Sequence, residues 1–163
     1  MAYSAASIAN AFLNHAFAEG KSISPMKAQK LVYIAHGYAL VECREPILDE
    51  VFEAWKFGPV LNTLYHECKY FGKDGIPRLL DDFDHDTGTV KKAPIPTDPK
   101  VAELIDFVWQ TYGEERAADL SDWTHEKGGP WDQVTDGGRK ILRHQEVPND
   151  LIRDYFFRTM YTV

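Results

Sequence analysis

The stretch Ser24-Pro25-Met26-Lys27-Ala28-Gln29-Lys30-Leu31-Val32-Tyr33-Ile34-Ala35-His36-Gly37 decides how the rest of this 163-residue chain is read. Ser24 offers a hydroxyl to the free backbone N–H groups of a helix start. Pro25 stands at the first helical position, where its missing N–H is no loss. The apolar residues that follow, through Leu31, Val32, Ile34, Ala35 and Tyr38, cover most of the circumference, so the helix is expected at the centre of the core. Gly37 is unfavourable inside a helix by propensity, which predicts a neighbouring element in close contact there.

Outward from this helix, Ser4 or Ser7 caps a first one carrying Ile8, Phe12, Leu13, Ala16 and Phe17 at helical spacing, with Gly20 as its stop. Val51 to Lys56 reads as a short extended segment bounded by Gly58-Pro59. Pro59 is expected to open a third helix bearing Leu61, Leu64, Tyr65, Cys68 and Phe71. Residues 73 to 99 form a surface excursion, in which Pro77 to Phe83 and Thr89 to Ile95 flank Asp86-Thr87-Gly88 as a small β-ribbon. Asp98-Pro99 restarts helix with a clear period through Val101, Leu104, Ile105, Val108 and Tyr112. A fifth helix is expected over about 115–126, a turn or short helix at Pro130-Trp131, and a C-terminal helix over about 148–160. The expectation is a mainly α, compact single domain over 1–163, with about six helices and a small β-hairpin or extended segments.

A chain of this length with 44% hydrophobic and 13% aromatic residues has enough apolar surface for one core. The net charge of −7 opposes binding to a nucleic-acid backbone and favours a basic protein partner. Cys43 and Cys68 lack metal or redox spacing and read as free thiols of a reducing compartment. No signal-peptide pattern opens the chain and no apolar run approaches the ~18 residues of a membrane span, so a cytoplasmic protein is expected.

Chemical motifs are weak throughout. Asp86-Thr87-Gly88-Thr89 matches the tetrapeptide of aspartic proteases but follows an acidic stretch instead of an apolar strand, so it reads as a turn. His15, His36, His66, His85, His125 and His144 show no zinc spacing, although the predicted helices would let His36 and His66 meet in space. His125 is expected to bond a backbone carbonyl near the bend at Gly128-Gly129. Trp55 and Trp131 suit a core anchor or an interface. Lys56 and Gly58 would sit at the start of the third helix, where anions are favoured. No phosphate loop and no nucleophile elbow is present. No cofactor and no metal is expected.

Read together, Met26 to Gly37, Ile47-Leu48-Asp49-Glu50, Glu53 to Val60 with Leu64-Tyr65-His66, then Leu120-Ser121, Thr124-His125 and Pro130-Trp131, resemble the Panacea antitoxin domain family of SocA-like and GepA-like phage-associated proteins. The resemblance covers about residues 5–135. Ala28 and Phe57 depart from its usual larger aliphatic and tyrosine, both keeping apolar character. It implies an antitoxin that neutralises a cognate toxin, commonly by direct binding, with no enzymatic activity of its own. Its motif residues are Gln29, Lys30, Tyr33, His36, Trp55, Lys56, Gly58, Pro59, Tyr65, Thr124, His125, Pro130 and Trp131. These types specify a fold as readily as a site, so the expected partner surface is the exposed set Asp81, Asp82, Asp84, Asp86, Lys91 and Lys92, facing a basic toxin. Self-association is left open. Two alternatives stand beside this reading: an adaptor that delivers the toxin to a protease, and a metal-dependent or acid–base enzyme built on His36, His66 and His125 near Lys56.

Overall fold

A computed structural model describes residues 2–161, so Met1, Thr162 and Val163 of the expected 1–163 span lie outside the described residues. The described chain forms seven helices and two antiparallel strand pairs. In order they are α1 (Ala5–Ala18), α2 (Pro25–Glu42), β1 (Glu53–Trp55), β2 (Gly58–Val60), α3 (Asn62–Cys68), β3 (Asp81–Asp84), β4 (Thr89–Lys92), α4 (Pro99–Tyr112), α5 (Ala117–Thr124), α6 (Pro130–Thr135) and α7 (Asn149–Tyr161). The seventh helix, beyond the six expected, is the short α6 at Pro130-Trp131.

The caps behave as their side chains dictate. Ser4 accepts the Ser7 N–H, Ser24 the Lys27 N–H, and Asp98 the Lys100 N–H, with Pro25 and Pro99 opening their helices. Helix α2 runs through the centre and packs against α1, α3, α4, α5, α7 and β2. Leu31, Val32, Ile34 and Ala35 are fully buried, which is why its apolar residues occupy every side.

Gly37 is where α7 crosses it. A Cβ at this position would lie no more than 2.5 Å from three carbons of the Phe156 ring. Phe156 is also the meeting point of Tyr33, Tyr38 and Trp123, whose rings stand edge-on at 5.8, 5.5 and 5.6 Å. The predicted close contact is therefore a backbone-to-ring contact that only glycine admits.

The ribbon β3–β4 has the expected turn, with Asp84 accepting the N–H groups of Asp86 and Thr87. Its base is tied to α1 by Asn10, which donates to the carbonyls of Leu80 (3.0 Å) and Ala93 (2.9 Å) and accepts the Leu80 N–H (2.7 Å). Asn10 is fully buried, and all three bonds go to backbone groups at the base of the ribbon, where the Leu80 carbonyl also accepts the Ala93 N–H at 3.0 Å.

One expectation is overturned. Pro59 does not open a helix; it lies in β2, opposite Ala54, and α3 begins at Asn62. Ala54 turns its N–H to the Gln145 carbonyl at 2.7 Å instead of toward β2, so a proline opposite it removes no ladder bond. Lys56 and Phe57 consequently form a two-residue turn, and Lys56 and Gly58 are not at a helix N-terminus.

Gly37→Ala is expected to destabilise the protein by about 1–3 kcal/mol through overpacking, against a propensity gain of at most about 1 kcal/mol. Gly37→Ala combined with Phe156→Leu should recover part of that loss in urea unfolding, because the smaller side chain frees the space.

Candidate functional site

The two residues of the β1–β2 turn and the strands beside it expose a row of carbonyl oxygens, and side chains from three helices reach in to take them. Gln29 of α2 makes a two-way bond with Leu61, donating to its carbonyl (3.0 Å) and accepting its N–H (2.9 Å). Lys30 donates from Nζ to the Pro59 carbonyl at 3.2 Å. Ser121 of α5 donates to the Phe57 carbonyl at 3.0 Å, and Trp131 of α6 donates from Nε1 to the Trp55 carbonyl at 2.7 Å. His125, the residue that ends α5, brings Nε2 to 3.1 Å from the Lys56 carbonyl. The three separated motifs thus converge on one hairpin.

Gly58 is the point of closest approach. Its φ of +110° lies where side-chain-bearing residues are rare, and a Cβ there would meet Thr124 Oγ1 at 2.6 Å and Lys30 Nζ at 2.7 Å. Thr124 is buried and donates to the Ser121 carbonyl at 2.6 Å. The His125 ring lies against Trp131 at a tilt of 59°, with ring centroids 4.2 Å apart. Its Nδ1 lies 2.6 Å from the Ser121 carbonyl. Both ring nitrogens thus face oxygens that only accept, so a neutral ring satisfies one of these contacts and a protonated ring satisfies both. The predicted bond from His125 to a carbonyl exists, but its targets are Lys56 and Ser121 rather than the glycine bend.

Lys30 is buried with 1% of its surface exposed, and burial pushes its ammonium down to about 7. A single carbonyl answers its three donor positions in the described structure. His36 is also fully buried; its Nε2 donates to Asn149 Oδ1 at 2.8 Å, and its Nδ1 has no partner among the described residues. Burial holds the His36 imidazole below its ordinary value. Tyr33 is buried edge-on against Phe52 at 5.1 Å, and burial pushes its phenol up. These three side chains serve the interior.

Of the remaining motif residues, Trp55, Lys56 and Tyr65 reach the surface. Trp55 is half-buried, lies against the exposed Tyr65 at 4.7 Å with the rings tilted by 58°, and donates from Nε1 to Glu53 at 2.9 Å. Pro130 is buried as the first residue of α6, and Lys56 is exposed at the hairpin tip. His66 is exposed against Tyr65, while His36 bonds Asn149 and His125 bonds the hairpin, so the three histidines have separate surroundings. Among the described residues no three His, Cys, Asp or Glu side chains are grouped to hold a metal ion.

The expected acidic surface divides in two. Lys91 pairs with Asp84 and Lys92 with Asp81, each at 3.2 Å across the exposed ribbon, and Asp86 stands in its turn. Asp81 and Asp82 also line a cavity of about 320 Å³ with Asp49, Glu50 and Glu67. Burial holds the Asp49 and Glu50 carboxyls above the usual range, and the nearby Asp82 charge adds to this. Glu50 accepts a bond from Thr63. Asp49 and Glu50 were read only as part of the family resemblance and Glu67 was assigned no role, because their convergence is tertiary; Glu67 is on α3, 14 positions from Asp81 of the ribbon it faces. Ser121 was read as one of the family-motif residues and as lacking nucleophile-elbow glycines, and its hydroxyl spans to the hairpin.

A family model described as Antitoxin SocA-like, Panacea domain, matches residues 29–132. Antitoxin SocA of Caulobacter vibrioides (strain NA1000 / CB15N) is 34% identical over 153 residues, which is 93% of this chain and 81% of that relative. No solved structure matches the chain.

The buried Lys30 generates a pH-dependent prediction. Between about pH 7 and 10.5 the unfolded chain keeps the lysine proton that the folded chain sheds, so wild-type stability gains up to about 1.4 kcal/mol per pH unit from this group. Lys30→Met lacks that slope. Urea unfolding of both proteins at pH 7, 8 and 9 should show the difference shifting steadily in favour of the wild type; parallel curves would contradict the burial of a titrating amine.

Proposed function

The chain belongs to the SocA-like antitoxin family of Panacea domains, and on that premise we propose that it neutralises a cognate toxin by direct protein–protein binding, without chemistry of its own. The toxin partner follows from the family; the mode of neutralisation is the reading developed below. The setting is the cytoplasm, and nothing in the reading calls for nucleic acid or a bilayer. No described helix is long and apolar enough to cross a membrane.

The observation that carries this reading is the convergence of Asp49, Glu50, Glu67, Asp81 and Asp82 on one cavity beside the exposed Phe83 and Val90. Carboxylates crowded in partial burial repel one another, and a partner's arginine or lysine relieves that repulsion. Exposed apolar side chains at the rim supply area that a bound protein removes from water. Gln29, Lys30, Ser121, His125 and Trp131, by contrast, spend polar atoms on the hairpin, which leaves recognition to surfaces away from those contacts. A basic toxin surface is the complement proposed here.

Co-expression with the product of the adjacent gene tests the proposal. Rescue of growth with a stable co-purifying complex is the expected result, while rescue accompanied by loss of the toxin and no complex would transfer the role to delivery to a protease. The charge argument has its own check. The association rate should fall as salt rises from about 0.01 to 0.5 M, and Asp49→Asn with Glu67→Gln and Asp82→Asn should lower it at low salt and flatten the dependence. A rate indifferent to ionic strength would remove the acidic cavity from the interface.

A further inference from the structure

Helix α3 presents two different faces to its surroundings. Thr63, Leu64 and Glu67 line the acidic cavity, whereas Tyr65, Cys68 and Lys69 line a second opening of about 410 Å³ between α3, the hairpin and the first turns of α2. Three apolar side chains stand exposed around this second opening: Met26, Phe57 and Tyr65, at 38%, 58% and 42%.

Its charge is opposite to that of the molecule. In a chain of net charge −7, the opening is lined by Lys30, Lys56 and Lys69, and no described residue lining it is an aspartate or glutamate. Lys56 and Lys69 are exposed, and neither ammonium lies within ion-pair distance of a carboxylate among the described residues. Each rests instead near an aromatic ring, Lys56 5.6 Å from the centroid of Phe57 and Lys69 5.2 Å from that of Tyr70. Tyr70 itself is 86% exposed. Uncovered apolar area flanked by two unneutralised cations is complementary to apolar side chains flanked by anions.

We propose that this opening docks a short segment of a partner protein in which one or two large apolar side chains are flanked by aspartate or glutamate. The apolar side chains enter between Met26, Phe57 and Tyr65, and the flanking carboxylates meet Lys56 and Lys69. The hairpin that carries Lys56 and Phe57 is the one held by Gln29, Lys30, Ser121, His125 and Trp131, so the docking residues are presented on a fixed frame. This site uses different residues from the acidic cavity and calls for the opposite charge in its ligand, so it stands or falls independently of the neutralisation reading.

Selection of a displayed random dodecapeptide library on the wild-type chain, with parallel selection on the Lys56→Glu, Lys69→Glu double variant, tests it. Both lysines are exposed, and an unchanged thermal unfolding midpoint verifies the fold of the variant. Enrichment on the wild type of peptides combining aromatic or aliphatic residues with Asp or Glu, bound about tenfold or more weakly by the double variant in fluorescence polarisation, is the expected result. Tyr65→Ala should weaken the same peptides. Enrichment of basic peptides, equal binding to both proteins, or no enrichment overturns the proposal. So does a wild-type dimer in sedimentation that the double variant abolishes without any peptide binding, since the occupant would then be a second copy of the chain.

Discussion

Backbone carbonyls cannot be left unbonded when a hairpin is pressed against a core, and here that constraint organises three distant parts of the chain. The carbonyls of Trp55, Lys56, Phe57, Pro59 and Leu61 are bonded by Trp131, His125, Ser121, Lys30 and Gln29. Each such bond contributes about 1 kcal/mol net, while an orphaned buried carbonyl costs about 1–3 kcal/mol, so the asymmetry favours keeping every partner. Gly58 makes the arrangement possible by leaving room for Thr124 and Lys30 at its Cα. The result is a hairpin with only two turn residues, Lys56 and Phe57, whose side chains remain outside.

This division lets one scaffold fix its hairpin while openings of different charge surround it. Gln29, Lys30, Ser121, His125 and Trp131 point inward at backbone, which carries no sequence information, and they therefore tolerate different surfaces placed around them. The acidic cavity arises where α3 meets the ribbon that Asn10 anchors to α1. The basic, apolar opening arises on the other side of α3, against the hairpin. A seven-residue helix thus separates two surfaces of opposite sign, each buttressed by buried polar side chains behind it.

The helices were legible because their signals are local. Ser24-Pro25 and Asp98-Pro99 cap and open α2 and α4, and Gly37 announced the contact that Phe156 makes. The ribbon was legible from Asp86-Thr87-Gly88 for the same reason. Pro59 was misread because a proline that opens a helix and a proline opposite a turned-away strand residue look alike in sequence, and only the Ala54 to Gln145 bond distinguishes them. The motif residues were recognised as a group, but their joint target was hidden: Gln29, Ser121 and Trp131 lie far apart in the chain, and backbone acceptors have no sequence signature. The carboxylate cavity was half legible, since Asp81 and Asp82 form a visible run whereas Asp49, Glu50 and Glu67 join them only through folding. Lys91 and Lys92 looked like a free basic edge, yet the antiparallel register places them in pairs with Asp84 and Asp81.

Gln29, Lys30, Ser121, His125 and Trp131 build the frame, and on the proposed reading recognition lies on surfaces outside those five side chains. A saturation library scored twice in cells, once for abundance of this protein and once for rescue from its toxin, tests that claim most directly. The account predicts that substitutions at Gln29, Gly58, Ser121 and Trp131 lower abundance and rescue together, whereas charge-removing substitutions at Asp49, Glu67 and Asp82 lower rescue at full abundance. Substitutions at Gln29, Gly58, Ser121 or Trp131 that abolish rescue while abundance stays intact would contradict it, and would place the toxin on the hairpin frame itself.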